Sequence, residues 1–179
     1  ELSLNFKIQA KALVEAGADY LLIETALDTL NIKAAYIGCL DAFEDVGQTL
    51  PVAISGTVET MGTMLGGQTV EALYTSIEHM KPLYIGLNCA TGPEFMRDHI
   101  RSLAEISKYP IAVVPNAGIP NEDGVYPEKP ENLASTLQTF IDEGWLNVIG
   151  GCCGTTPSHI QSLSEIANTS NPRTYIPES

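Results

Sequence analysis

Basic residues are scarce in this chain: 9 Lys and Arg stand against 22 Asp and Glu, for a formal net charge of -13. That balance excludes nucleic-acid binding through phosphate neutralisation and docking on an anionic membrane surface; the acidity reads as a solubility feature. Long apolar runs are also missing, and none approaches the ~18 residues of a membrane span. The opening Glu1-Leu-Ser-Leu-Asn-Phe6 lacks the basic start and apolar stretch of a signal peptide. With only 4 cysteines in 179 residues, a secreted disulfide scaffold is excluded. A reducing compartment, the cytoplasm, is the expectation, and cysteines there serve more often as ligands or nucleophiles than as cross-links. No glycine-rich nucleotide-binding signature follows any apolar run, and there is no C-x-x-C or H-x-x-x-H pair.

What the chain does have is 44% hydrophobic residues, enough for one globular domain with a core. Short apolar runs recur, ending near Glu24, Ser55, Cys89, Asn116 and Cys152. Their spacing, roughly thirty residues, suits a strand, a helix and two loops. The runs are continuous rather than alternating, as in parallel strands buried on both faces. Between them lie helical stripes: Ile32, Ala35, Tyr36, Cys39, Leu40 and Phe43; Val70, Leu73, Tyr74, Ile77 and Met80; Met96, Ile100 and Leu103; Leu133, Leu137, Phe140 and Ile141; Ile160 and Leu163. A further helix around Lys7 to Ala16 precedes the first strand. Thr91-Gly-Pro-Glu94 has capping-box spacing, Thr156-Pro157 reads as an N-cap followed by proline, and Asp28 and Asn31 compete as caps. The alternation predicts a parallel α/β architecture, either an open doubly wound sheet or a (β/α)8 barrel. Residues 1–168 form the predicted domain. The polar, proline-bearing 169–179 reads as a linker or frayed tail.

The strand ends concentrate the chemistry. Cys89 follows Ile85-Gly-Leu-Asn88, and Cys152-Cys153 follow Val148-Ile-Gly-Gly151. Strands running parallel would bring these thiols to one mouth. Three thiolates can hold zinc and leave its fourth position open, the pattern of a catalytic site. Neighbouring residues on a regular strand point to opposite faces, so Cys152 and Cys153 can share a metal only if the chain bends, as Gly150, Gly151 and Gly154 would permit. Spacing alone leaves two alternatives open: three unrelated buried cysteines, or a Cys152–Cys153 disulfide. Cys39, on a helical stripe, is assigned to the core. His79, His99 and His159 fall in helical segments and read as surface or helix-end residues. Glu24 closes an apolar run, where a carboxylate can hold an ammonium group or serve as a cap or ion-pair partner.

The segments Gly86-Leu-Asn-Cys-Ala-Thr-Gly-Pro93 and Gly150-Gly-Cys-Cys-Gly-Thr-Thr-Pro-Ser-His-Ile160 resemble the two zinc-ligand segments of the homocysteine S-methyltransferase family. Leu22 to Ala35, Ile54-Ser-Gly-Thr57, Leu65 to Ala72 and Pro115 to Pro120 are similar to the homocysteine-binding module of the cobalamin-dependent methionine synthases within it. The resemblance covers nearly the whole chain. It implies a parallel (β/α)8 TIM-type barrel, of which this chain supplies about the last five βα units. It also implies Cys89, Cys152 and Cys153 as zinc ligands, Glu24 as the holder of the homocysteine amino group, and Asn88 and the Ser55 loop as pocket-lining residues.

The implied reaction is methylation of the homocysteine thiol to give methionine. Coordination deprotonates the thiol, and the cysteines bring one more negative charge than zinc carries, so the added sulfur stays nucleophilic. In the resembled module the methyl group arrives on cobalamin, recharged from 5-methyltetrahydrofolate on other modules of the same polypeptide or a partner. Two other readings stand beside it: a homocysteine methyltransferase using a small sulfonium or betaine donor, and a non-catalytic structural zinc protein. The resemblance further implies that earlier strands and the folate- and cobalamin-binding modules lie outside this segment, which is then expected to be incomplete as an enzyme.

Overall fold

Five parallel strands follow one another across a single sheet in the order β1-β2-β3-β4-β5. The computed structural model describes residues 1–175. Helix α1 (Leu2–Glu15) leads into β1 (Leu21–Ala26), α2 (Thr29–Val46), β2 (Val52–Gly56) and α3 (Val70–Ile77), which ends in a 3-10 turn at Glu78–Met80. Then come β3 (Ile85–Asn88), α4 (Pro93–Ile106), β4 (Ile111–Val114), α5 (Pro130–Asp142), β5 (Val148–Ile149) and α6 (Pro157–Thr169). An open doubly wound sheet reverses its strand order at a switch point. Here every strand pairs with its sequence neighbour, which is the progression of a barrel wall.

The strands are buried because helices cover them. All of β2 and β3 is buried, and Ile54, Ile85, Leu87, Ile111 and Val113 lie in one apolar core with Ile32, Leu73, Ile100, Leu137 and Phe140. Most of the helical stripes face that core. Leu40 is an exception, exposed on the outside of α2. So is Ile160, also exposed, because the buried face of α6 runs through His159 and Leu163 instead. Helix α1 starts near Leu2, earlier than the Lys7 expected, and lies tightly on α2: a Cβ at Gly38 would sit 2.7 Å from the Lys7 nitrogen and the Ser3 oxygen.

Helix starts follow local chemistry. Asp28 caps α2 and accepts from the Asn31 backbone, which settles the competition between those two residues. Thr156 caps α6, with Pro157 in the first turn. Thr91 is buried and does not cap α4; Gly92 takes that place, because Pro93 already opens the helix. Arg173 holds the segment after α6 against the domain by donating to the Ala104 and Ser107 carbonyl oxygens at 3.0 and 2.7 Å. The expected tail is thus docked as far as Arg173, and its residues 176–179 lie outside the described residues. No helix among the described residues is long and apolar enough to cross a membrane.

Candidate metal centre

Three strand ends build the site. Beyond β3, Cys89 and Ala90 both adopt left-handed backbone, with φ of 62° and 54°. The turn is held because the Cys89 N–H donates to the Val114 carbonyl at 3.1 Å. Beyond β5, which has only two residues, the chain bends over the end of β4. The Cys152 N–H donates to the Pro115 carbonyl at 2.8 Å, and the Ala117 N–H to the Cys153 carbonyl at 2.8 Å. The Asn116 side chain accepts from the Cys153 N–H at 3.1 Å. Gly154 completes the bend with a φ of 78°. This is the departure from regular strand that adjacent cysteines need in order to share a centre.

The sulfurs converge. Cys89 Sγ lies 3.7 Å from Cys153 Sγ, and Cys152 Sγ 4.0 Å from Cys153 Sγ; all three fall within 4.8 Å of one another. Tetrahedral zinc with ~2.3 Å bonds places its sulfurs roughly 3.8 Å apart, so the thiols fit such an ion. A 4.0 Å separation is twice a disulfide bond; all four cysteines are free, and the Cys152–Cys153 disulfide is ruled out as the state here. Three unrelated buried cysteines are ruled out as well: the thiols meet, and Cys153 is exposed. Among the described residues no fourth Cys, His, Asp or Glu joins the cluster. Without a metal, burial and the neighbouring Cys89 push the Cys152 thiol up to about 11.

Asn88, immediately before Cys89, is fully buried. Its Oδ1 accepts from Ser55 Oγ at 2.7 Å and from the Thr25 N–H at 3.1 Å. Its Nδ2 donates to Thr25 Oγ1 at 2.7 Å and makes a longer, 4.0 Å approach to Cys152 Sγ. Ser55 is buried too. The pair forms a polar layer beneath the thiols rather than an open lining. Glu24 is exposed and stands inside β1 instead of closing it. It borders a groove of about 540 Å³ between β1, α1 and α2, shared with Phe6, Ala10, Ile32 and Cys39. None of the three clustered cysteines lines that groove.

One residue near the centre escaped sequence reasoning. Tyr126, in the β4–α5 loop, lies against Gly154: a Cβ there would meet Tyr126 Cγ at 2.2 Å. Burial and the nearby Cys153 raise its phenol pKa. His159 is a helix-end residue as expected, but it is buried rather than at the surface. Its Nδ1 accepts from the Thr156 N–H at 3.1 Å, so Nε2 carries the proton and donates to the Glu128 carbonyl at 3.0 Å. The usable signal was its i, i+4 spacing with Leu163. His79 is exposed and His99 half-buried, and Cys39 packs in the core as expected.

A family model described as homocysteine S-methyltransferase matches residues 1–167. Among solved structures, the apo form of the homocysteine methyltransferase MmuM from Escherichia coli aligns with a TM-score of 0.70 at 22% identity, over 92% of this chain and 57% of that one. Its oxidised form gives 0.68 at 21%, over 91% and 52%, and its metallated form 0.67 at 21%, over 91% and 51%. At such identities the likeness is one of fold, and the present chain spans about half the length of those structures.

Proposed function

Because this chain belongs to the homocysteine S-methyltransferase family, we propose that it forms the zinc-bearing part of a barrel that methylates the thiol of homocysteine to give methionine. The observation that carries this reading is the convergence of Cys89, Cys152 and Cys153, with no fourth Cys, His, Asp or Glu joining them among the described residues. Zinc bound there would supply the positive charge that keeps a fourth, substrate sulfur deprotonated at neutral pH.

The remaining roles belong to the chain's own residues. Glu24, exposed on β1, takes the substrate ammonium group by a charge-assisted hydrogen bond. Asn88 and Ser55 support the pocket from the buried polar layer beneath the thiols. The backbone clasp from Pro115 to Ala117 keeps the Cys152-Cys153 turn bent. In the reaction the substrate S–H proton is lost, a sulfur–carbon bond forms, and the donor's bond to its methyl carbon breaks.

For the donor we favour methylcobalamin, recharged from 5-methyltetrahydrofolate on modules outside this chain. The exposure of Cys153 at the strand ends supports access by a large partner. A small sulfonium or betaine donor would need no such opening. A purely structural zinc site is disfavoured because structural sites close with four protein ligands. Five strands do not close an eight-stranded barrel, so turnover calls for strands beyond β1 and β5 supplied by further polypeptide.

Zinc-edge X-ray absorption tests the proposal. The zinc-loaded protein should show three sulfur neighbours alone and four after homocysteine is added. An unchanged sulfur count would overturn the reading.

A further inference from the structure

We infer that Asn88 is a positioning residue: its side-chain amide holds a bulge in β1 that aims Glu24, and so sets affinity for the amino-acid end of the substrate. The inference rests on the role proposed for Glu24, and it concerns a different residue acting through the backbone.

The bulge is visible in the strand register. Ile23 pairs with Ile54 and Ala26 with Gly56. Two residues of β1, Glu24 and Thr25, therefore stand opposite one residue of β2, Ser55. Bulges re-aim side chains and gather beside active sites. Both Glu24 and Thr25 are exposed here, where strict alternation would turn one of them inward.

This bulge is strained. Thr25 has a φ of 54°, a left-handed conformation that is an outlier for a β-branched residue. Such conformations persist only where the surroundings over-determine them, and Asn88 does so. Its Oδ1 accepts from the Thr25 N–H within the bulge, and its Nδ2 donates to Thr25 Oγ1. The same Oδ1 takes Ser55 Oγ, the single residue across the bulge. One carboxamide thus grips both sides of the irregularity. Its orientation is fixed, because a flipped amide would point N–H groups at the Thr25 N–H donor. Asn88 also adjoins Cys89 in the chain, so the grip ties the aim of Glu24 to the base of the thiol cluster.

The test uses Co2+-loaded protein, whose thiolate absorption reports homocysteine binding, together with metal stoichiometry. Asn88→Ala should weaken homocysteine binding about tenfold, the loss of one to two hydrogen bonds, with metal content unchanged. Should that variant not fold, Thr25→Val attacks the same grip from the exposed strand, keeping the shape and removing the Oγ1 acceptor, and should weaken binding comparably. Glycine adopts positive φ without strain, so adding Thr25→Gly to Asn88→Ala should recover much of the lost affinity. Wild-type affinity in Asn88→Ala or Thr25→Val, parallel loss of metal, or failure of Thr25→Gly to rescue would each overturn the inference. Normal binding by Glu24→Gln would instead overturn the role of Glu24 itself.

Discussion

His159 Nε2 donates to the Glu128 carbonyl at 3.0 Å and so fastens α6 to the β4–α5 loop. The same ring caps its own helix through Nδ1 and the Thr156 N–H. Along that loop, the Glu128 N–H reaches the Ala117 carbonyl, and the Ala117 N–H reaches the carbonyl of Cys153. A buried histidine thus steadies the loop that crosses the exposed cysteine.

Replacing His159 with alanine should cost roughly 2 kcal/mol of stability, from a lost cap and an unpaired carbonyl. Urea unfolding reads this directly. The loosened loop should also let a thiol reagent reach Cys153 faster in the metal-free protein. A stability change within ~0.5 kcal/mol, the range of ordinary surface substitutions, would show that the histidine does not fasten the loop.

Gly38 is a point of close approach between α1 and α2. A Cβ there would meet the Phe6 Cβ at 2.8 Å as well as backbone atoms of α1 at 2.7 Å. Backbone does not yield as a flexible side chain does. Gly38→Ala should therefore destabilise by roughly 1–3 kcal/mol despite alanine's better helix propensity. A thermal melt showing a gain in stability would mean that α1 is not docked as described.

Cys39 supplies a pH dependence. Burial raises its thiol from 9.0 to about 11. Between those values the folded chain keeps a proton that the unfolded chain has released. Stability is accordingly full below pH 9 and falls as pH rises toward 11. Cys152 adds to this slope in the metal-free protein, since its thiol is also raised to about 11. Cys39→Ala should flatten the decline, measured by denaturant unfolding across that range. An unchanged slope would remove Cys39 from the account.

Much of this was legible because apolar runs and cysteines mark strand ends without reference to tertiary structure. The runs at Val52, Ile85 and Ile111 became buried strands, and the three motif cysteines met. What escaped depends on contacts distant in sequence. Glu24 looked like a strand terminus, since the bulge that carries β1 on to Ala26 is held by Asn88 from another strand. Thr91 had the spacing of a cap, but Pro93 fixed the helix start one residue later. His159 read as a surface or helix-end residue; its burial is made tolerable by Thr156 at one ring nitrogen and by the Glu128 carbonyl, offered by a loop, at the other. β5 shrank to two residues because the Cys152-Cys153 turn draws the chain over β4.

The central claim is that Cys89, Cys152 and Cys153 hold one zinc ion between them. Metal analysis of the purified wild type and of the Cys89→Ser, Cys152→Ser and Cys153→Ser variants tests it most directly. One zinc per chain in the wild type, and loss of most of it in each variant, is the predicted result. Full zinc retained by all three variants would contradict it.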